Sequence, residues 1–338
     1  MERQIRSTIV IPNYNGIQYI ENCLRSLENE PAHIIVVDNG STDGSREIVQ
    51  EKFPGIEMIC LEKNYGFCKA VNAGIAKSKT TYVILLNNDT TVERGFVRAL
   101  ELPLERHPEV FSGSAQMRNM QCPELIDDAG DYYCALGWAF ARGKDKPAKD
   151  YQRRCRIFAA CGGASIYRRK IFDEIGFMDE NHFAYLEDID LGYRARINGY
   201  INIYIPEAVV YHAGSGASGS RYNDFKVRLA SRNSIYLVYK NMPPMQILLN
   251  LPLLIAGFAV KTVFFMKKGL GFTYLKGLRE GIAMCFSGEG RAHKVRYQSE
   301  CLPSYIAIQL ELWRNILLFV RINIRNRAYP LYDSATDR

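Results

Sequence analysis

The 338-residue chain contains no C-x-x-C, and its nine cysteines are odd in number and irregular in spacing. That argues against a zinc ribbon or a disulfide framework and leaves buried, reduced thiols as the plain expectation. A chain of this length buries about 75% of its unfolded surface and needs no cross-links to hold a core. No internal repeat is visible. The start, Met1 to Thr8, runs straight into Ile9-Val10-Ile11 without the long apolar stretch and cleavage site of a signal peptide. The front of the chain is therefore expected in the cytoplasm. No nucleic-acid recognition motif is present either, so nucleic acid is not an expected partner. Acidic residues run short in the last third. Residues 1–220 hold 25 basic against 29 acidic side chains, whereas residues 221–338 hold 18 against 7, a net of +11. A basic, apolar tail suits an anionic membrane surface. Hydrophobic content of 47% and charged content of 23% exclude wholesale disorder.

Four short apolar runs occupy the first ninety residues: Thr8–Ile11, Ile34–Val37, Ile56–Leu61 and Tyr82–Leu86. Their Ile and Val content and unbroken apolarity predict parallel strands buried on both faces. Helix-like periods at Ile17–Glu28, Ser45–Lys52 and Gly66–Ser78 lie between them. The alternation predicts a doubly wound α/β sheet, expected to close before residue 90. Ligands of such sheets bind beyond the carboxyl ends of the strands. Polar clusters stand at those places: Pro12-Asn13-Tyr14-Asn15-Gly16, Asp38 to Gly44, Glu62 to Phe67, and Asn87-Asn88-Asp89. The first turn is not G-x-G-x-x-G, which disfavours a dinucleotide oxidoreductase. It also lacks the Gly-rich, Lys-bearing triphosphate loop of a nucleotidyltransferase. Further along come Gly162-Gly163, the acidic group Glu187-Asp188-Ile189-Asp190, and Val209-Val210-Tyr211-His212 before a Gly/Ser-rich stretch.

Taken in order, Val-Ile-Pro-Asn-Tyr-Asn-Gly, Val-Val-Asp-Asn-Gly-Ser-Thr-Asp-Gly-Ser, Asn-x-Gly-Phe, Leu-Leu-Asn-Asn-Asp-Thr and Tyr-Leu-Glu-Asp-Ile-Asp-Leu make residues 7–220 resemble the family-2 glycosyltransferases. The likeness is strongest to their bacterial rhamnosyltransferase-like branch. The resemblance implies a GT-A fold, with a Rossmann-like, mostly parallel sheet flanked by helices. It also implies a nucleotide-sugar donor, a divalent metal (Mn2+ or Mg2+) and an inverting mechanism. Residues 1–220 would form the catalytic domain, and residues 221–338 a basic, apolar helical region associated with the membrane.

Mapped residue by residue, the resemblance places the donor nucleotide against Pro12, Tyr14, Asn15, Asp38, Asn64, Gly66 and Asn88. Asp38 would accept from the imide N–H of the base, with a helix N-cap as its plain alternative. Asp43 is assigned to capping. Gly66 would permit close backbone approach. Asp89 falls where the family carries its metal motif, usually Asp-x-Asp. Here only one carboxylate is present, which still suits a cation that keeps waters and uses few protein ligands. A turn built from Asn87-Asn88-Asp89 is the alternative. His212 would be a second metal ligand. Asp188 maps onto the catalytic base, and Glu187 would hold acceptor hydroxyls. Three carboxylates this close are expected to raise at least one pKa by like-charge repulsion. Asp190 is accounted for by the helix dipole. Arg221 and residues 214–220 would close over the phosphates.

The expected activity is transfer of a sugar, rhamnose from dTDP-rhamnose, to a lipid-linked or polysaccharide acceptor. The acceptor is a glycan or a polyprenyl-pyrophosphate-linked sugar at the cytoplasmic face of the membrane. A UDP-hexose or UDP-galactofuranose donor is the alternative within the enzyme class. A catalytically silent nucleotide-binding scaffold is the alternative outside it. The apolar run Ile247–Met266 is long enough to span a bilayer, but Asn250, Pro252 and Lys261 interrupt it. It is read as an in-plane membrane helix, a span or a core helix. Ile306–Ile324 is a second apolar helix.

Overall fold

Each of the four apolar runs becomes a strand, and the polar residues after each form loops along one edge of a single sheet. The computed structural model describes residues 5–214 and 222–324. Arg221 and residues 215–220, expected over the phosphates, lie outside them. The strands are β1 (Ser7–Asn13), β2 (Ala32–Asp38), β3 (Glu57–Cys60), β4 (Tyr82–Leu86), β5 (Thr90–Val92), β6 (Val110–Asn119), β7 (Ile126–Asp128), β8 (Asp131–Cys134), β9 (Trp138–Ala141), β10 (Cys155–Ile157), β11 (Ala164–Arg168) and β12 (Ile201–His212). The helices are α1 (Ile20–Ser26), α2 (Ser45–Lys52), α3 (Phe67–Lys77), α4 (Phe96–Arg106), α5 (Phe172–Ile175), α6 (Glu187–Ile197), α7 (Asp224–Asn241), α8 (Pro244–Lys267), α9 (Gly271–Phe286), α10 (Gly288–Ala292) and α11 (Leu302–Phe319).

Along the sheet the order is β10-β12-β6-β11-β4-β1-β2-β3, with β5 beside β12 and β7 beside β6. Strands β3, β2, β1 and β4 are mutually parallel, as are β6 and β12, while β11 runs antiparallel between the two sets. The sheet therefore does not close at residue 90. Buried runs at Val110–Asn119 and Ile201–His212 extend it and bring His212 to the same edge as Asp89. Helix α1 starts later than its sequence period suggests, because Asp43 accepts from Ile17 N and holds residues before Ile20 as a loop.

Alternation along β1 explains why the sheet is buried on both sides. Ile9 and Ile11 join Leu24, Val36 and Leu100 on one face, and Val10 joins Val71, Val83 and Leu191 on the other. A third core joins the β8–β9 hairpin and α6 to the C-terminal helices, through Tyr133, Phe158, Tyr193, Leu237, Leu254, Tyr305 and Leu312.

Helix α8 lies against this body along one stripe, Gln246, Asn250, Leu254 and Gly257, spaced at helical intervals. A Cβ at Gly257 would stand 2.2 Å from the Leu136 carbonyl oxygen, so only glycine permits that approach. Asn250, which interrupts the apolar run, is fully buried and pairs with Gln309 in both directions while accepting from Trp313. The other face is bare: Met245, Leu248, Ile255, Val260, Val263 and Met266 are all exposed. A buried core helix is thus not what this segment forms.

Candidate active site at the carboxyl edge of the sheet

Asn13, at the end of β1, organises the loops after β1, β2 and β4. Its amide donates to Asp38 Oδ1 (3.2 Å), Ser41 Oγ (3.2 Å) and Ser45 Oγ (2.9 Å), and its oxygen accepts from Asn88 Nδ2 at 2.7 Å. The ends of β1, β2 and β4 are thereby locked together. Asp38 is 1% exposed and also accepts from Ser41 N. Asn15 adopts φ 49° and its side chain accepts from Thr42 N. Asp43 is not the cap of α2, a place taken by Gly44; from one residue earlier it accepts from Ser45 N and Oγ, and from Ile17 N as well. Asn64 accepts from Asn39 Nδ2 and from Gly66 N. Pro12 is half-buried, and Tyr14 is exposed beside it. Gly66 has φ +91°, and a Cβ there would stand 2.6 Å from the Phe183 carbonyl oxygen. The close approach expected at Gly66 is made to Phe183.

Asp89 and His212, 123 residues apart in sequence, face each other because β12 pairs with β5 and sets His212 opposite Thr90. His212 Nε2 lies 3.2 Å from Asp89 Oδ1; the Asp89 side chain is buried and that of His212 half-buried. The other ring nitrogen, Nδ1, lies 2.8 Å from Asp127 Oδ2, while Lys144 Nζ donates to Asp127 Oδ1. Burial alone would lower the His212 pKa, but the bonds to Asp127 and Asp89 outweigh it and raise it to about 9. Burial would likewise raise Asp127, and His212 and Lys144 instead bring it to about 2. With its Nε2 proton released, this imidazole and the Asp89 carboxylate form a donor set that fits a divalent cation such as Mn2+.

The acidic group at α6 divides in two. Asp190 accepts from Arg194 through two nitrogens, from Lys240 at 2.9 Å and from Asn241 at 2.8 Å. These partners, and not the helix dipole alone, account for it, and they hold its carboxyl well below the ordinary range against the opposing effect of burial. Glu187 is buried, with Oε2 lacking a hydrogen-bond partner. Its pKa is raised to about 8, first by burial and second by the Asp188 charge, so like-charge repulsion is the smaller cause. Asp188, half-buried, accepts from Ile189 N at 2.7 Å and is also raised by burial.

The pair is presented by a strained loop. Phe183, Tyr185 and Leu186 all have positive φ, at 63°, 72° and 67°, costly for bulky side chains. Helix α7 stabilises that conformation. Asn233 Nδ2 donates to the carbonyls of His182, Ala184 and Tyr185, and Arg232 donates to those of Asn181 and His182.

Sequence reasoning passed over three further carboxylates, in Ile126-Asp127-Asp128-Ala129-Gly130-Asp131. Their density, around a glycine at φ +93°, is the signal that was available. Burial raises Asp128 to about 7, with Asp127 and Asp188 adding to the shift. Asp131 is raised too, by burial first and then by Asp128 and Asp188. Ligand atoms of Asp128, Asp131 and Cys161 lie within 4.8 Å of one another. Asp128 thus lies between the His212 group and the Asp188 group. One polar line runs along the edge, from Asp38 through Asn13 and Asn88 to Asp89, His212, Asp127, Asp128 and Asp188.

A family model described as glycosyl transferase family 2 matches residues 8–176. N-acetylglucosaminyl-diphospho-decaprenol L-rhamnosyltransferase of Mycobacterium tuberculosis is 27% identical over 238 residues, covering 62% of this chain and 77% of its own length. Low-salt glycan biosynthesis hexosyltransferase Agl10 of Haloferax volcanii is 27% identical over 277 residues, covering 77% of this chain and 85% of its own. Among solved structures, GalNAc-T7 with UDP, GalNAc and Mn2+ superimposes with a TM-score of 0.56 at 18% identity, over 71% of this chain and 48% of that one. S. aureus TarS 1–349 with UDP-GlcNAc does so with a TM-score of 0.54 at 16% identity, over 96% and 93%. At those identities the two structures establish the shared fold.

Proposed function

The chain belongs to glycosyl transferase family 2 and is a glycosyltransferase of GT-A fold, and from that premise we propose that it transfers rhamnose from dTDP-rhamnose to a polyprenyl-diphosphate-linked glycan, with inversion. The observation that carries this reading is the single polar line joining a buried base-side carboxylate, an Asp–His pair and a half-buried Asp at one sheet edge. The rhamnosyltransferase relative, whose name gives a lipid-linked N-acetylglucosamine acceptor, supports the sugar and the acceptor class.

Asp38, held by Asn13, receives the base of the nucleotide, and Pro12, Tyr14, Asn15, Asn64, Gly66 and Asn88 shape its surroundings. Asp89 and His212 would hold the divalent cation. When bound, that cation offsets the negative charge growing on the leaving diphosphate. Asp188 takes the proton of the acceptor hydroxyl as its oxygen attacks the anomeric carbon, and burial makes this carboxylate a stronger base than one in water. Glu187, protonated near neutrality, donates to a neighbouring acceptor oxygen. Residues 1–220 carry this chemistry, and residues 221–338 bring it to the cytoplasmic face of the membrane. The exposed face of α8, followed by Lys267 and Lys268, suits an in-plane helix at an anionic surface.

The test presents the full-length chain, with Mn2+, with dTDP-rhamnose, UDP-galactofuranose and UDP-hexoses in turn, against a polyprenyl-diphosphate N-acetylglucosamine acceptor. Transfer from dTDP-rhamnose alone, abolished by EDTA, is expected. Transfer only from a UDP-hexose would install the second reading, which the hexosyltransferase relative favours.

A further inference from the structure

Asp127 stands outside every motif that carries the family likeness, yet it is the side chain most tightly tied to His212. It sits on the short strand β7, paired to β6, and β6 in turn pairs with β12, with Asn119 opposite His212. Its two oxygens are committed to different partners: Oδ2 to His212 Nδ1 at 2.8 Å, and Oδ1 to Lys144 Nζ. The residue is 8% exposed. Lys144 keeps Oδ1 occupied, so the carboxylate is fixed in the position that meets His212.

We infer that Asp127 is the positioning residue of the Asp89–His212 cation site. An imidazole has two nitrogens, and the hydrogen bond made by one decides which face the other presents. With Nδ1–H donating to Asp127, the ring plane is fixed and Nε2 is aimed at Asp89 Oδ1, 3.2 Å away, where a bound cation would take the place of the Nε2 proton. Carboxylates that hold a ligating histidine in this way orient the ring and raise its basicity, and their loss costs about 10–100-fold in metal affinity. Asp127 acts through His212, its partner at Oδ2. The inference rests on Asp89 and His212 being the cation ligands.

Titrating Mn2+ alone into the full-length chain, with the free ion followed by electron paramagnetic resonance, tests it without reference to turnover. Asp127→Ala should weaken Mn2+ binding about 10–100-fold. Introduced into His212→Ala, the same change should weaken it no further, because its effect passes through the ring. Asp127→Asn, which keeps the shape and one acceptor oxygen, should bind Mn2+ with affinity between wild type and Asp127→Ala, and it serves if the alanine variant does not fold. Wild-type affinity in Asp127→Ala, or an equal loss with and without His212, would overturn the positioning role. If His212→Ala itself bound Mn2+ as wild type does, the cation site would be wrongly assigned and the inference would fall with it.

Discussion

Glu187 and Asp188 are neighbours in the chain with different surroundings. Glu187 is buried with one oxygen unpartnered, whereas Asp188 is anchored by Ile189 N and half-buried. A base must be ionised to accept a proton, and burial raises Asp188 above the ordinary aspartate value. Turnover should therefore fall as pH drops through that raised value, before free aspartate would protonate. Asp188→Asn should cut turnover about 10²–10⁴-fold while leaving donor affinity nearly unchanged. Steady-state rates across pH, with donor binding measured by calorimetry, check both, and wild-type turnover in the variant would remove Asp188 from the role. Asp38, Asp89, Asp188 and His212 were legible in the sequence because each sits inside or beside a short ordered motif. Asp127 was not, since its meaning comes from His212, 85 residues away. Asp128 and Asp131 show in the sequence only as a dense acidic run: the largest cause of their shifts is burial, which has no local pattern, followed by the neighbouring charges of Asp127 and Asp128 and then by Asp188.

At the scale of elements, α7 is the brace of the acid pair. Lys240 donates to both Asp179 and Asp190 at 2.8 and 2.9 Å, and Asn233 satisfies three carbonyls of the loop with positive φ. Asn233→Ala leaves the carbonyls of Ala184 and Tyr185 without that donor, while Arg232 still serves His182, which should cost about 1–3 kcal/mol of stability. The loop should then relax toward ordinary φ and move Glu187 and Asp188. Turnover should drop further than donor affinity does. Urea unfolding and kinetics on the same variant test this, and a stable variant with equal losses in both parameters would contradict it. The amphipathic character of α7 was visible in the sequence. Its task was not, because the strain it offsets arises only when residues 183–186 fold against Gly66.

Across the whole molecule, the C-terminal helices serve two surfaces. Leu254, Tyr305, Ile308 and Leu312 are buried with Tyr133, Phe158 and Tyr193 of the catalytic body. Phe272, Ile282, Phe286, Leu310 and Leu317 of α9 and α11 are exposed, as is the outer face of α8. Each fully buried large side chain contributes about 1.5–3 kcal/mol. Deleting residues 243–338 should therefore both abolish flotation with anionic liposomes and lower the unfolding midpoint of the remaining chain. High salt should release the full-length chain only in part, since it screens charge and leaves apolar burial intact. Resistance to both salt and alkaline carbonate would indicate a spanning helix, and a full-length chain that never floats would end the membrane reading. The apolar helices themselves were plain from composition. The Asn250–Gln309–Trp313 pairing that tells the inner face of α8 from the outer was not, because it joins side chains about sixty residues apart.

The contact between Gly66 and Phe183 couples two loops that could otherwise vary independently. On the proposed function, the turn carrying Gly66 lies on the donor side, and the carbonyl it touches lies in the loop that presents Glu187 and Asp188 to the acceptor. Neither surface has room to change shape alone. A chimaera that imported the donor turn of a relative without its matching 183–186 segment would place a side chain into that backbone or leave a gap beneath it. Redesign of either loop in this chain thus has to move both segments as one inherited block.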